Sequence, residues 1–146
     1  MYLRYPPATR LAYPLHALSE RPDSGEYGQW VFDRGLLEPA CDGVLSVVVS
    51  GTGPQTELSA SELATAVSHQ LARCFRLPAP IAHAVLVEKR ATIAPIPNVV
   101  RPAARLPLPG LYVAGDAAAS PYPSTLEGSV RSGIAAAQAI QQDLAT

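Results

Sequence analysis

The sequence is poor in several residue types, and each scarcity excludes a class of protein. Of its 11 lysine and arginine residues only Lys89 is a lysine, and a formal net charge of −1 argues against a nucleic-acid-binding surface. The two cysteines, Cys41 and Cys74, fit neither a disulfide framework nor a zinc site, which favours a reducing cytoplasm. No apolar run reaches the roughly 18 residues of a membrane-spanning helix, and no signal peptide is evident.

A second absence concerns glycine. The sequence has no G-x-G-x-x-G turn of the kind that binds the pyrophosphate of a dinucleotide, and its densest glycine stretch, residues 51–53, is followed by Pro54. The motifs of α/β-hydrolases, zinc proteases, P-loop proteins and paired Cys-x-x-Cys sites are absent as well, and no metal site is predicted. What is present is a globular composition, 48% hydrophobic and 16% charged, with enough apolar material for a core.

Residue periodicity predicts a mixed α/β fold. Alternating or β-branched runs bounded by proline and glycine predict strands over residues 1–5, 11–18, 29–33, 43–49 and 81–87. Three consecutive valines at 47–49 predict a strand that is buried on both faces. A helix is predicted over residues 59–75, because Ser59 followed by Glu62 is a capping-box pattern and an apolar stripe comes next.

The most informative stretch covers residues 109–140. Its apolar run, 111–114, predicts a buried strand, and Asp116 follows where that strand ends. A loop with two prolines then leads to Ser124 and Thr125, either of which can cap a helix. Apolar residues at helical spacing continue to the end of the stretch. The unit is therefore a strand, an acidic residue, a loop and the start of a helix.

This unit has features that suit it to binding a ligand. Gly128 and Gly133 each cost the helix about 1 kcal/mol relative to alanine, which predicts that something approaches the backbone closely. A helix amino terminus exposes unpaired N–H groups and a partial positive charge, which stabilise an anion or an electron-rich carbonyl. An ionised Asp116 can accept a hydrogen bond from a hydroxyl group. The alternative is an ordinary strand-to-helix crossover whose acidic residue faces water.

The same residues resemble the signature of a known family. Ala114-Gly115-Asp116, Leu126-Glu127-Gly128-Ser129 and Arg131-Ser132-Gly133 are similar to the carboxy-terminal FAD-binding segment of the flavin amine oxidase and phytoene desaturase superfamily. Residues 29–35 and 88–92 also look like its squalene-associated desaturase branch, which includes hydroxysqualene dehydroxylases. The resemblance implies FAD as the cofactor. The cofactor-binding residues that it implies are Gly115, Asp116, Thr125, Leu126, Glu127 and Gly128.

The resemblance also suggests catalytic and substrate-binding residues. Lys89 and Arg90 follow the strand predicted over 81–87, where members of the superfamily often have a basic residue close to the flavin or the substrate. The alternative for this pair is a charged strand end that enters a loop. Trp30 and Phe32 are candidate walls of the substrate pocket, with core packing as the alternative for both.

The implied protein is the carboxy-terminal portion of a two-domain FAD-dependent oxidoreductase. Residues 1–94 would supply part of the substrate domain, and residues 95–146 the last strand and helix of a Rossmann-like FAD domain. The expected partner is an amino-terminal Rossmann half, either a separate chain or missing sequence, and without it the chain is expected to be inactive. The expected reaction is hydride transfer on an apolar isoprenoid substrate of the squalene or carotenoid type.

Two alternatives to this function remain open at the level of sequence. One is a non-catalytic module that stabilises a partner chain, and the other is a fragment of a flavin amine oxidase. The expected location is the cytoplasm, with peripheral membrane contact through the complete enzyme.

Overall fold

Five short strands form one antiparallel sheet in the order β2-β3-β4-β1-β5. The strands are β1 (Tyr2–Arg4), β2 (Leu15–Ala17), β3 (Trp30–Asp33), β4 (Val44–Val48) and β5 (Ala82–Ala84). Each strand lies within a segment that the sequence predicts as a strand. The structure, a computed structural model, describes residues 1–89, 91–94 and 96–145. It divides into two units, Met1–Val87 and Glu88–Thr146, and the sheet belongs to the first.

Short helical segments connect the strands of the amino-terminal unit. They are the helix α1 (Arg34–Leu37) and the 3₁₀ turns Pro22–Ser24, Pro39–Cys41 and Pro54–Glu57. Asp33 caps α1 from a fully buried position, since its Oδ1 accepts from the Leu36 amide at 3.2 Å. Its Oδ2 accepts from the Leu11 amide at 2.8 Å, so one carboxylate joins the end of β3 to the loop before β2.

The helix α2 (Ala60–Phe75) covers one face of the sheet. It begins with the predicted capping box: the Glu62 amide donates to Ser59 Oγ at 3.3 Å, and the Ser59 amide donates to Glu62 Oε2 at 2.8 Å. Cross-strand partners in register place their side chains on the same face of the sheet. The centre of the core consists of hydrophobic side chains that are at most 1% exposed: Leu3, Tyr5, Val31, Leu45, Val47, Val67 and Leu71.

A buried glutamine fixes the approach of α2 to the chain before β3. Gln70 Nε2 donates to Ser19 O and to Gly28 O, both at 3.0 Å, and Gln70 Oε1 accepts from the Gly28 amide at 2.8 Å. A Cβ atom on Gly28 would lie 2.9 Å from Gln70 Oε1, closer than real contacts allow. The absence of a side chain at Gly28 therefore leaves room for Gln70 to make these bonds.

The opposite face of the sheet is open. Trp30 is 46% exposed and Val48 is 42% exposed, and the two are cross-strand partners. The prediction that residues 47–49 are buried on both faces is therefore wrong. Because α2 covers one face, β4 alternates between buried and exposed positions, as a half-covered antiparallel strand does.

The carboxy-terminal unit combines an antiparallel pair of extended segments with the helix α3 (Leu126–Leu144). Arg105 and Tyr112 face each other in an isolated β-bridge, and the Leu111 amide donates to Leu108 O across the turn that joins the two segments. Gly110 occupies this turn with φ of 77°, the left-handed conformation that a type II turn places there.

The prediction of a buried strand over residues 111–114 is wrong. Its one β-bridge in the described structure is isolated, and Leu111 is 46% exposed. A strand in the interior of a sheet needs hydrogen-bonding neighbours on both sides, and the described residues supply a neighbour on one side. The local sequence pattern cannot reveal whether those neighbours are present.

The fold is mixed α/β with an antiparallel sheet, as far as the described residues go. The boundary after Val87 falls before the predicted boundary between residues 94 and 95. The assignment of the two parts to a substrate domain and an FAD domain stays a prediction. None of the helices that the structure describes has the length and hydropathy of a membrane-spanning segment.

Candidate functional site

The helix α3 begins at a threonine cap. Thr125 is extended, with φ −135° and ψ 167°, and its Oγ1 accepts from the Gly128 amide at 3.2 Å. The Ser129 amide donates to Thr125 O at 2.9 Å, which starts the helical ladder. Of the two caps that the sequence allows, Thr125 is therefore the one used. The amides of residues 126 and 127 have no acceptor among the described residues, so they are the donors that remain for a ligand.

The two glycines of α3 have different environments. A Cβ atom on Gly128 would lie 2.7 Å from Pro123 O, so the close approach predicted for this position is confirmed, with the loop before the helix as the neighbour. A Cβ atom on Gly133 would meet no described atom within 4 Å. The close approach predicted for Gly133 is therefore wrong for the described part of the chain, where this side of the helix is open.

The Gly115–Asp116 turn is fixed to α3 by Ser132, which lies within the Arg131-Ser132-Gly133 motif but for which the sequence pattern predicts no separate role. The Gly115 amide donates to Ser132 Oγ at 2.8 Å, and the Ser132 hydroxyl lies 3.0 Å from Gly115 O and 2.7 Å from Ser129 O. Gly115 has φ of 126°, which other residues rarely adopt. Gly128, Ser132 and Ala136 are buried at every fourth residue of α3. This stripe of small residues is the signal that predicts a close neighbour along the helix.

A second serine joins Asp116 to the start of the helix. The Ser124 hydroxyl donates to Asp116 O at 2.9 Å and accepts from Arg101 Nη2 at 2.9 Å. Arg101 Nη1 also donates to Tyr122 O at 3.2 Å. The loop before Thr125 is therefore held by Arg101, whose role the sequence pattern does not reveal.

The carboxylate of Asp116 has one partner among the described side chains. Its Oδ2 accepts from Thr92 Oγ1 at 2.6 Å, whereas its Oδ1 has no hydrogen-bond donor in the described part of the chain. The side chain is partly buried. Asp116 thus presents one acceptor oxygen without a donor among the described residues, and the two open amides at the start of α3 follow after a loop.

Charged side chains surround the first turns of α3. Glu127 forms an ion pair with Arg131 one turn later at 2.6 Å, and the Arg131 guanidinium lies 4.6 Å from the centroid of the Tyr122 ring. The Glu127 side chain is therefore engaged, and what residue 127 offers to a ligand is its backbone amide. Leu126 is 89% exposed.

The far end of α3 is also joined to the extended pair. Arg105 binds Asp143 through both Nε, at 3.0 Å, and Nη2, at 2.6 Å, and the Tyr112 hydroxyl donates to the same carboxylate. That hydrogen bond raises the pKa of Tyr112 above its usual range. These contacts attach Tyr112 near the end of α3, and the chain then leads back along the helix to Gly115, which Ser132 binds.

The structure places Lys89 and the predicted substrate-binding residues in different units. Lys89 is exposed, three residues before Thr92, and Arg90 lies outside the described residues. Trp30 and Phe32 share the open face of the sheet in the amino-terminal unit, and neither belongs to its buried core. Core packing is wrong for Trp30, which is 46% exposed, whereas Phe32 is partly buried, and the role of both as pocket walls stays a prediction.

The geometry of these donors and acceptors defines a class of site. Two free amides at a helix amino terminus stabilise an electron-rich carbonyl edge, and a free carboxylate oxygen accepts from a hydroxyl. This donor set fits the ring and ribityl parts of a flavin. The sequence has no pyrophosphate-binding turn, so the fit covers the ring and ribityl half of FAD and not its pyrophosphate.

The comparison with known families agrees with this class. The model of the family described as flavin containing amine oxidoreductase matches residues 16–141. The chain therefore belongs to that family of flavin-dependent oxidoreductases, whose usual flavin is FAD. No curated protein and no solved structure matches the chain.

Proposed function

We propose that this chain is the carboxy-terminal fragment or subunit of an FAD-dependent oxidoreductase and supplies its contacts to the flavin ring and ribityl chain. The observation that carries the proposal is the hydrogen-bonded connection between Asp116 and the start of α3. Ser132 binds Gly115, and Ser124 binds Asp116 and immediately precedes the cap Thr125. These bonds join the residue that carries the acceptor oxygen to the loop that leads into the two donor amides.

Each of these groups has a chemical task toward the cofactor. FAD, when bound, supplies the redox chemistry as the acceptor or donor of a hydride. The amides of Leu126 and Glu127 would stabilise negative charge at the ring edge, and the positive end of the α3 dipole adds to their effect. Asp116 Oδ1 would accept from a ribityl hydroxyl and so fix the cofactor's orientation. The rigid attachment through Ser132 and Ser124 keeps these groups preorganised.

The composition of the open face of the sheet favours an apolar substrate. Its exposed or partly exposed strand positions are mainly aromatic and aliphatic: Tyr2, Leu15, Ala17, Trp30, Phe32, Val44, Val48, Ala82 and Ala84. Arg4 is the charged residue on this face, beside Val44 and Ala82. A cation there would repel a protonated amine, whereas an isoprenoid chain carries no charge. This supports a squalene- or carotenoid-type substrate over an amine.

The exposed apolar residues on the outer side of α3 are evidence for a partner that covers them. Apolar residues away from the side of Gly128, Ser132 and Ala136 are more than half exposed: Leu126, Val130, Ile134 and Leu144. A stripe of this length on a helix normally packs against another element. The proposed occupant is the dinucleotide-binding half that carries the missing Gly-rich turn.

Reconstitution tests the proposal. The chain is mixed with, or fused to, an amino-terminal half that carries G-x-G-x-x-G, and the product is purified and scanned for flavin absorbance. We expect a yellow complex that retains FAD. Adding a squalene-type isoprenoid should change the spectrum of its oxidised or reduced flavin under anaerobic conditions, and adding benzylamine should not. A colourless complex would favour the non-catalytic module, and a spectral response to benzylamine would favour the amine oxidase.

A further inference from the structure

We infer that Thr92 is a positioning residue of the cofactor site, whose hydroxyl orients the Asp116 carboxylate and ties the segment that carries Lys89 to it. The inference rests on the proposed role of Asp116 toward the flavin. Nothing in the sequence pattern distinguishes Thr92 from its neighbours, and its role follows from a contact that spans 24 residues.

The contact has the geometry of a strong hydrogen bond. Thr92 Oγ1 lies 2.6 Å from Asp116 Oδ2, within the range of hydroxyl-to-carboxylate bonds and shorter than most neutral ones. Because the carboxylate can only accept, the hydroxyl proton must point at Asp116. The Thr92 oxygen then keeps its remaining acceptor capacity toward a ligand or water.

The bond restricts the remaining rotation of the Asp116 side chain. Its backbone is already held by Ser124 at the carbonyl, and the preceding Gly115 is held by Ser132. What remains is rotation of the carboxylate about the side-chain bonds. With Oδ2 bound to Thr92, Oδ1 is left free in one orientation, which is what a ribityl hydroxyl needs from an acceptor.

The same bond places the segment that carries Lys89. Lys89 lies three residues before Thr92, and its side chain is exposed. A segment with an exposed lysine samples many positions unless a nearby residue is anchored. The Thr92–Asp116 bond is such an anchor. It limits how far Lys89 can move from the proposed cofactor contact at Asp116.

Substitution by isosteres separates the hydroxyl from the shape of the side chain. Thr92→Val keeps the volume but removes the donor, and Thr92→Ser keeps the donor. Thr56→Val is the matched control, because Thr56 is also exposed and its Oγ1 also donates one short bond, at 2.7 Å to Gly53 O, in the other unit.

Tryptic cleavage after Lys89 in the 146-residue chain measures the anchor without any cofactor. We expect Thr92→Val and Asp116→Ala each to raise the cleavage rate by about 2- to 10-fold, the factor that one lost hydrogen bond produces. Combining them should add nothing further, since both remove the same bond. Thr92→Ser should cleave like the unmodified chain, as should Thr56→Val. Cleavage of Thr92→Val at the unmodified rate would overturn the inference.

FAD affinity of the reconstituted complex tests the connection to the cofactor, with flavin fluorescence as the readout. We expect Thr92→Val to weaken FAD binding by about 2- to 10-fold and Thr92→Ser to restore it. If Asp116→Ala weakens binding and Thr92→Val does not, the inference is wrong while the proposed function stands. If neither substitution changes FAD binding, the proposed function is wrong and the positioning role falls with it.

Discussion

The two units of this protein are stabilised in different ways. The amino-terminal unit buries ten hydrophobic side chains in one cluster between the sheet and α2. In the described part of the carboxy-terminal unit, the buried hydrophobic side chains are those of Ala118 and Ala136. Hydrogen bonds and ion pairs instead join α3 to the rest of that unit, as in the pair of Arg105 and Asp143.

The difference bears on what each unit needs in order to be stable. Burial of apolar surface is the main favourable term in folding, and exposed ion pairs contribute about 1 kcal/mol or less. The amino-terminal unit therefore has the material of an independent core. The carboxy-terminal unit presents the apolar side of α3 to solvent, and a covering surface would supply the missing burial. The candidate cofactor contacts lie in this second unit.

We expect the largest effect from shortening a buried side chain in the core of the amino-terminal unit. Leu71→Ala removes a fully buried side chain of α2 and should lower the free energy of unfolding by about 2–5 kcal/mol. Leu144→Ala, at a position 83% exposed in α3, should change it by about 0.5 kcal/mol or less. Urea denaturation of the two variants measures both. Equal losses would contradict the contrast between the units.

An intermediate effect is expected from the two glycines of α3. Gly133→Ala should stabilise the helix by about 1 kcal/mol, because alanine is the better helix former and the added methyl group would have no described atom within 4 Å. Gly128→Ala should destabilise it by about 1–3 kcal/mol, because its Cβ would lie 2.7 Å from Pro123 O. Amide hydrogen exchange along α3 reports both changes. The contrast fails if the two variants shift protection in the same direction.

Gly133→Ala also tests whether a partner covers the open side of α3. If the open side of α3 is covered in the reconstituted complex, Gly133→Ala should weaken that complex even though it stabilises the isolated chain. Size-exclusion chromatography of the mixture at several concentrations measures the association. Undiminished association would mean that no partner backbone approaches Gly133.

The smallest effect is expected from the ion pairs of the amino-terminal unit. Hydrogen bonds from Arg73 and Arg21 hold the pKa of Glu26 below its usual range. A carboxylate with a lowered folded-state pKa stabilises the fold above its unfolded pKa of about 4.3, and this contribution is lost as the pH falls through the folded-state value. Both arginines are more than half exposed, so water screens the interaction. Unfolding measured at neutral and acidic pH should show a shallower acid dependence for Glu26→Gln, and an unchanged slope would contradict the assignment.

The sequence predicts those features that depend on neighbouring residues. The capping box of Ser59 and Glu62 and the positions of all five strands follow from local pattern and periodicity. The cap at Thr125 was one of two alternatives, and the structure distinguishes them through the bond to Gly128.

Features that depend on distant contacts could not be predicted in the same way. Whether Val48 is buried depends on which face of the sheet α2 covers, and whether residues 111–114 lie inside a sheet depends on strands elsewhere. The bonds from Ser132 to Gly115 and from Thr92 to Asp116 span 17 and 24 residues. Short polar side chains occur at many positions, and periodicity does not reveal which of them meet.

The most direct test of the account is FAD retention by the reconstituted complex after substitution of Asp116. Asp116→Ala removes the acceptor that the proposal assigns to the ribityl chain, and Asp23→Ala removes an exposed carboxylate of the other unit as a control. The account predicts that Asp116→Ala loses FAD on dialysis while Asp23→Ala and the unmodified complex keep it. Equal retention by all three would show that Asp116 does not hold the cofactor.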